Sequence, residues 1–186
     1  MMRHTRRRRG FTTAEVLIVT GIMTALAGNG NSFQNVTNKA HQTACFNQLR
    51  QIGMAFTMMA NNDEALPQAW FYPPDKHPYR EQYNIVNLMA RQGVPKQFFI
   101  CPSAPEELKD RGCCFLYNDR LCNRNLDGID NPSETWIMMD VNGVSDTVPA
   151  AHSEGCNVLY CDGHVKWLPS SSIPRLMQQA VDFRGQ

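Results

Sequence analysis

The sequence has no cluster of lysine and arginine after residue 10. Its 18 basic and 17 acidic residues give a formal net charge of +1, yet five arginines and no acidic residue precede Gly10. Without the first ten residues the chain holds 13 basic and 17 acidic residues. Because a protein that binds nucleic acid needs a basic patch, the composition predicts that the body of the chain has no nucleic-acid partner.

Two patterns typical of enzymes are also missing. The sequence contains neither a glycine-rich phosphate loop nor a recognisable pairing of nucleophile and base. We therefore predict that the protein is not an enzyme. With 186 residues, the chain is long enough for one core-forming domain and an appendage rather than for two domains.

Cysteine, by contrast, is abundant. Seven cysteines are many for a cytosolic domain of this size, and they favour an oxidising compartment. The odd number leaves at least one thiol free or paired between chains. The spacing alone does not fix which cysteines pair.

The N-terminus combines a basic block with an apolar stretch. Residues 11–27 (FTTAEVLIVTGIMTALA) follow Gly10 and would span roughly 26 Å as a helix, which is short for a membrane span. An acid in a lipid-facing helix usually marks a function or a partner, so Glu15 is informative. If the chain were cut before Phe11, Glu15 could neutralise the new amine of a neighbouring subunit. An ordinary secretory signal, cut near residues 25–28, is the alternative.

This arrangement of basic residues, Gly10-Phe11, Glu15 and an apolar run resembles the class III signal of prepilins and type II secretion pseudopilins. The resemblance implies that prepilin peptidase cleaves after Gly10, that Phe11 becomes the methylated N-terminus and that Glu15 is the assembly carboxylate. It also implies a single pass through the bacterial inner membrane, with residues 11–27 in lipid and the globular domain in the periplasm. The implied partners are prepilin peptidase, other pilin-like subunits and the inner-membrane assembly machinery.

Two features depart from that family. Thr13-Ala14 stands where the family usually has Leu-Ile, and the glycines and asparagines of residues 28–31 interrupt the apolar run. Such a composition favours a break over a continuous helix. We therefore divide the chain into a basic leader (1–10), a membrane and assembly segment (11–31) and a globular domain (32–186).

Residues 33–60 show helical periodicity. The apolar positions recur mostly at steps of three and four, as expected for a helix lying on a sheet: Val36, Ala40, Ala44, Phe46, Leu49, Ile52, Phe56 and Met59. Asn61, Asn62, Asp63 and Pro67 should end this helix. The resulting prediction is an α+β, pilin-like fold, in which a long N-terminal helix packs on a small antiparallel sheet with a C-terminal β-hairpin.

The middle of the chain offers weaker signals. Residues 98–106 (FFICPSAPE) predict a short strand ended by prolines and resemble an element of the same pilin-like subgroup. There we expect a Cys45–Cys101 disulfide that joins the helix to the loop. The exposed-looking aromatics of residues 70–72 would either bind a sugar ring or pack a loop onto the core. Asp119, Asp127 and Asp130 would either bind calcium or form a solvated turn.

The C-terminal part contains a clear hairpin signal. Residues 134–141 predict a strand, and Asp162-Gly163 predicts a type I′ turn between two further strands. In the register that such a turn sets, Tyr160 faces Val165 and Val158 faces Trp167, so that these four form one apolar face.

A histidine precedes this turn at a defined distance. His152 followed by nine residues and then Asp162-Gly163 resembles a C-terminal signature of prepilin-type proteins. The His152 ring would hydrogen-bond to Asp162 or to a backbone carbonyl. Four possible zinc ligands also lie within thirteen residues: His152, Cys156, Cys161 and His164. The predicted hairpin places them on different faces, so no metal site is predicted there.

Together these observations predict a structural subunit, a pseudopilin or minor pilin, of a type IV pilus-like or type II secretion filament. The alternative is a membrane-tethered or released extracytoplasmic binding module, for example for polysaccharide, that uses Trp70, Phe71 and Tyr72. A zinc-dependent hydrolase is the most remote of the three.

Overall fold

The structure is a computed structural model, and it describes residues 12–27, 30–62, 64–73, 82–141, 152, 155–174 and 176–177. The chain divides into two compact units, Met1–Thr37 and Asn38–Gln186. The α-helices of the described residues are α1 (Thr13–Ala27), α2 (Gly30–Asn61), α3 (Ile85–Arg91) and α4 (Glu106–Asp110). The strands are β1 (Phe115–Tyr117), β2 (Trp136–Asp140), β3 (Gly155–Tyr160) and β4 (Val165–Pro169).

The prediction of one long N-terminal helix packed on the sheet is wrong, and with it the pilin-like description of the fold. The described chain has two N-terminal helices, α1 and α2, and the described side chains of α1 are exposed. Among the side chains of α2 that the structure describes, which begin at residue 34, the first buried one is Cys45. The fold is a small α+β structure in which the second half of α2, rather than a continuous N-terminal rod, contributes to the core.

The buried face of α2 has the spacing that the sequence predicts, over part of its length. Leu49, Ile52, Phe56 and Met59 are buried, whereas Val36 is exposed. The predicted stripe is therefore confirmed for the last three turns and wrong at its start. The helix ends at Asn61, as the run of asparagines predicts.

The helix and the sheet approach each other closely at Gly53. A Cβ atom added to Gly53 would lie 2.8 Å from Cδ1 of Leu159 on β3. Beside this contact the rings of Phe56 and Tyr117 stack, with centroids 6.2 Å apart. Because Gly53 has no side chain, α2 can lie directly against β3, one of the two inner strands of the sheet.

The sheet is antiparallel, with the strand order β1-β2-β3-β4. The strand predicted within residues 134–141 is confirmed as β2. Every residue of β2 and β3 is buried, because apolar clusters cover both faces of these two strands. Leu159 belongs to the cluster that includes α2, while Val158 and Tyr160 belong to a second cluster with Ile173 and Leu176.

Strands β3 and β4 form a hairpin, but the predicted register is wrong by one residue. Leu159 pairs with Val165, and Val158 pairs with Lys166. The loop has three residues, 161–163, in which only Gly163 has a positive φ, of 85°. This matches a three-residue hairpin loop with a left-handed glycine rather than a type I′ turn. The predicted four-residue face is therefore split, since Val165 packs with the α2 cluster.

The strand predicted at residues 98–106 is also wrong. Residues Lys96–Phe99 form a 3₁₀-helix, and the amide of Phe98 donates to the carbonyl of Pro95 at 2.9 Å. Pro95 has a φ of −60°, which its ring fixes and which suits the start of a helical turn. Phe99 is buried in the core, and it belongs to a 3₁₀-helix rather than to a strand.

No helix among the described residues has both the length and the apolar character to cross a membrane. Helix α1 has 15 residues, which corresponds to about 22 Å, whereas a span of the hydrocarbon core needs about 20 residues. The prediction of a single-pass inner-membrane anchor at residues 11–27 is therefore wrong for this structure.

Candidate functional site

Glu15 lies in the first turn of α1 and caps the helix to which it belongs. Its Oε2 accepts hydrogen bonds from the amide of Thr12 at 2.8 Å and from the Thr12 hydroxyl at 2.9 Å. The amide of Glu15 donates in return to the Thr12 hydroxyl oxygen at 3.3 Å. This reciprocal pair is a capping box, whose Thr-x-x-Glu spacing is visible in the sequence and was not used in the sequence prediction.

The capping contacts favour the charged form of Glu15. The Thr12 amide, and after it the Thr12 hydroxyl, lower the pKa of the carboxyl group below its ordinary value. The predicted cleavage and methylation residues, Gly10 and Phe11, lie outside the described residues. The assembly role of Glu15 stays a prediction. The structure shows in addition that Glu15 hydrogen-bonds to Thr12 of its own chain.

The remainder of α1 is apolar around its whole circumference. Large hydrophobic side chains that are at least half exposed follow one another along the helix: Val16, Leu17, Ile18, Val19, Ile22 and Met23. The hydroxyls of Thr20 and Thr24 donate to backbone carbonyls one turn earlier, at 2.6 and 2.7 Å. Helices that are apolar on every side are normally buried, either in the core of a large protein or in a membrane.

A second group of side chains lies deep within the unit Asn38–Gln186. Cys45, Cys101, Asp140 and His152 are each at most 1% exposed. One ligand-type atom from each residue, sulfur, oxygen or nitrogen, lies within 4.8 Å of every other. Among the residues that the structure describes, this is the one group of three or more such side chains.

Four separate segments bring these side chains together. Cys45 lies one turn before Leu49 on the buried face of α2, and Cys101 follows the 3₁₀-helix. Asp140 is the last residue of β2. His152 forms an isolated β-bridge with Gly155 at the start of β3. The sheet and α2 therefore position two of the donors, the segment after the 3₁₀-helix positions Cys101, and a backbone bridge positions His152.

The contacts within this group centre on the carboxylate of Asp140 and on Nε2 of His152. Cys45 Sγ donates to Asp140 Oδ1 at 3.1 Å. His152 Nε2 lies 3.3 Å from Cys101 Sγ and 3.6 Å from Asp140 Oδ2. In a cysteine–histidine–aspartate catalytic triad the thiol and the carboxylate contact different ring nitrogens. Here both face Nε2, so the arrangement is not that of a proton relay.

Backbone amides support two of the donors from outside the group. The amide of Asn157 donates to Asp140 Oδ2 at 2.7 Å. The backbone amide of Ser103 donates to the sulfur of Cys101, and this contact lowers the pKa of that thiol. Such amide contacts stabilise negative charge on the oxygen and on the sulfur.

The four groups also shift one another's ionisation. The contact with the Cys45 side chain is the largest influence on Cys101 and, with the contacts from His152 and Ser103, it lowers the pKa of Cys101 to about 5. Burial raises the pKa of the Cys45 thiol well above its ordinary value. Burial, together with the nearby Cys101 sulfur, raises the pKa of Asp140 to about 6.

Cys45 and Cys101 are neighbours, and both are free thiols. The other five cysteines of the chain are also free. The Cys45–Cys101 disulfide therefore stays a prediction, although the two residues are neighbours, as it requires. The sequence analysis missed Asp140 as a member of the group, because a single aspartate at the end of an apolar strand resembles an ordinary strand boundary.

The four possible zinc ligands that the sequence places within thirteen residues do not come together in the structure. His152 is in the buried group just described, whereas Cys156 lies in the second apolar cluster and Cys161 in the first. His164 Nδ1 contacts Asp162 Oδ1 in the hairpin loop. The Asp162 carboxylate thus pairs with His164. Among the described residues the His152 ring bonds neither to Asp162 nor to a backbone carbonyl, so both alternatives given for it are wrong.

The remaining candidate residues are spread over the surface or the core. Asp119, Asp127 and Asp130 are not gathered into a cation-binding group within the described part of the chain. Phe71 packs edge-on against Trp136, and the Tyr72 hydroxyl donates to the carbonyl of Cys113. These contacts are those of aromatics that pack a loop onto the core.

Comparison with known proteins gives no further guide. No protein-family model, no curated protein and no solved structure matches this chain. The resemblance to prepilin-type proteins accordingly stays a prediction from the residues that carry it.

Proposed function

We propose that this protein is a structural subunit, a pseudopilin or minor pilin, of a type IV pilus-like or type II secretion filament, processed by prepilin peptidase after Gly10. The observation that supports the proposal is the apolar surface of α1. Six large hydrophobic side chains of α1 are at least half exposed, and a helix of this kind gains stability when its apolar area is removed from water.

The partners that fit α1 best are the same helices of other subunits. The one charged group within α1 is Glu15, which lies in the first turn. The threonine hydroxyls bond to the helix's own backbone, so they need no outside partner. At Gly21 no atom of the described residues lies within 4 Å of a Cβ position, which leaves room for a neighbouring helix to approach closely.

The processing step is tested by expressing the full chain with and without a prepilin peptidase and measuring the intact mass and the N-terminal sequence. The proposal expects the loss of residues 1–10 and the gain of one methyl group on Phe11, only when the peptidase is present. Gly10→Val is the matched control, and it should leave the leader attached. An unprocessed wild-type chain, or cleavage near Ala27, would contradict the proposal.

The assembly step is tested with two substitutions at Glu15. Glu15→Gln keeps the capping box, because glutamine also serves at this position, but it removes the charge. Glu15→Leu removes both. If the carboxylate neutralises a neighbouring N-terminal amine, both variants lose sedimentable filaments. Normal filaments from Glu15→Gln would show that the residue acts through the cap alone.

A further inference from the structure

We infer that Cys45, Cys101, Asp140 and His152 form a structural zinc site, which ties α2, the loop after residue 99, the end of β2 and the residue that bridges to β3 into one core. This inference does not depend on the proposed filament function. It rests on the donor atoms, their spacing and their burial.

The donor set suits zinc. Two cysteine sulfurs, an imidazole nitrogen and a carboxylate oxygen are all ligands of Zn²⁺, whereas Ca²⁺ and Mg²⁺ take oxygen ligands. Structural zinc sites use four protein donors in a tetrahedral arrangement and are closed to solvent. Each of these four residues is at most 1% exposed, so the site has the closed character of a structural centre.

The spacing of the donor atoms also suits a tetrahedral ion. A zinc ion with bonds of about 2.0 to 2.3 Å holds its ligand atoms roughly 3.3 to 3.8 Å apart. Cys101 Sγ and His152 Nε2 are 3.3 Å apart, Asp140 lies 3.1 Å from Cys45 Sγ through Oδ1 and 3.6 Å from His152 Nε2 through Oδ2, and one ligand atom from each residue lies within 4.8 Å of every other. The asparagine and serine backbone amides described above supply the outer contacts that orient such ligands.

A purely hydrogen-bonded group explains these contacts less well. His152 Nε2 faces Cys101 and Asp140 together, although a ring nitrogen carries at most one hydrogen. His152 Nδ1 has no hydrogen-bond partner among the described residues, and it carries the ring hydrogen both when Nε2 binds a cation and when Nε2 accepts a hydrogen bond. A cation between the four donors satisfies the sulfur, oxygen and Nε2 lone pairs at once.

The charge and proton balance of the binding step is simple. Zn²⁺ binds the lone pairs of Nε2, one aspartate oxygen and two sulfurs, and any proton still held on a sulfur is released to solvent. Two thiolates, one carboxylate and Zn²⁺ leave a net charge of −1. The Ser103 amide beside Cys101 and the Asn157 amide beside Asp140 stabilise that remaining charge.

Metal analysis of the full chain, purified with no chelator, is the first test. We expect one zinc per chain, and Co²⁺ in its place should give a thiolate charge-transfer band. Cys101→Ser should lose both signals. Cys156→Ser, which removes an equally buried cysteine in the second apolar cluster, should keep them.

A substitution that still offers a ligand separates metal loss from misfolding. His152→Cys should bind Co²⁺ with a stronger thiolate band, while His152→Phe should bind none. Chelator treatment of the wild type should lower its thermal unfolding midpoint, and Zn²⁺ but not Ca²⁺ should restore it. The inference is overturned by a metal-free wild type, by a peptide map that links Cys45 to Cys101, or by unchanged zinc content in Cys101→Ser.

Discussion

Gly155 and Trp167 are in direct contact across the β3–β4 hairpin. A Cβ atom added to Gly155 would clash with the backbone carbonyl oxygen of Leu168 and would lie 2.5 Å from ring atoms Cε2 and Cζ2 of Trp167. The indole N–H of the same tryptophan donates to the carbonyl of His152 at 3.0 Å. The ring is therefore held over the glycine by a hydrogen bond to the residue that also contributes to the buried donor group.

This contact predicts that Gly155→Ala is destabilising. The methyl group would force the tryptophan ring or a strand to move, at a cost of about 1 to 3 kcal/mol in the free energy of unfolding. Urea denaturation measures the change. Gly128→Ala is the control, since no atom of the described part of the chain lies within 4 Å of its Cβ position, and its effect should stay within about 0.5 kcal/mol. Equal stability of the two variants would show that Trp167 does not cover Gly155.

The hairpin loop predicts a different response at Gly163. Its φ of +85° lies in the left-handed region, so Gly163→Ala should cost about 1 kcal/mol of stability without any steric clash. Gly163→Asn should lose less, because asparagine adopts this conformation more readily. Thermal unfolding of both variants distinguishes the cause, and an equal loss for alanine and asparagine would contradict a backbone origin.

Two buried asparagines should respond in opposite ways to replacement by leucine. Asn118 Nδ2 donates to the carbonyl of Trp136 at 2.9 Å, so Asn118→Leu should cost about 1 to 3 kcal/mol. Neither Nδ2 nor Oδ1 of Asn157 has a hydrogen-bond partner among the described residues, so Asn157→Leu should leave the stability unchanged or raise it. The denaturant midpoints of the two variants measure these changes in stability. Similar losses of stability at both positions would contradict the prediction.

The cysteines should differ in reactivity toward iodoacetamide. Burial raises the pKa of the Cys113 and Cys156 thiols to about 12, so they remain protonated and unreactive near neutral pH. Cys122 is half-buried and should be labelled before these two in the reduced, native chain. Its labelling should rise with pH, because burial also raises the pKa of Cys122. Peptide mapping by mass spectrometry would contradict this order if Cys113 reacted as fast as Cys122.

The sequence predicts those parts of the fold that depend on local patterns. The stripe from Leu49 to Met59 and the strand β2 follow from the spacing and type of neighbouring residues, and both are present. The hairpin register was mispredicted because Asp162-Gly163 suits both a two-residue and a three-residue loop. These loops differ in the φ of Asp162, which local composition does not fix.

The buried donor group could not be predicted from such local patterns. The sequence suggested possible ligands within thirteen residues and a Cys45–Cys101 pair, whereas Cys45 and Asp140 are 95 positions apart and Cys101 and His152 are 51 apart. Only the packing of α2 on the sheet brings them together. The capping box at Thr12 and Glu15, by contrast, was available from a four-residue spacing.

The wide separation of the buried donors along the chain has a consequence for synthesis on the ribosome. A nascent chain emerges from its N-terminus, so Cys45, Cys101 and Asp140 are all made before His152. A polypeptide that stops short of residue 152 would hold two thiols and a carboxylate with no imidazole to complete them. Truncated chains should therefore remain sensitive to proteases. Only chains translated past His152 should form the closed core.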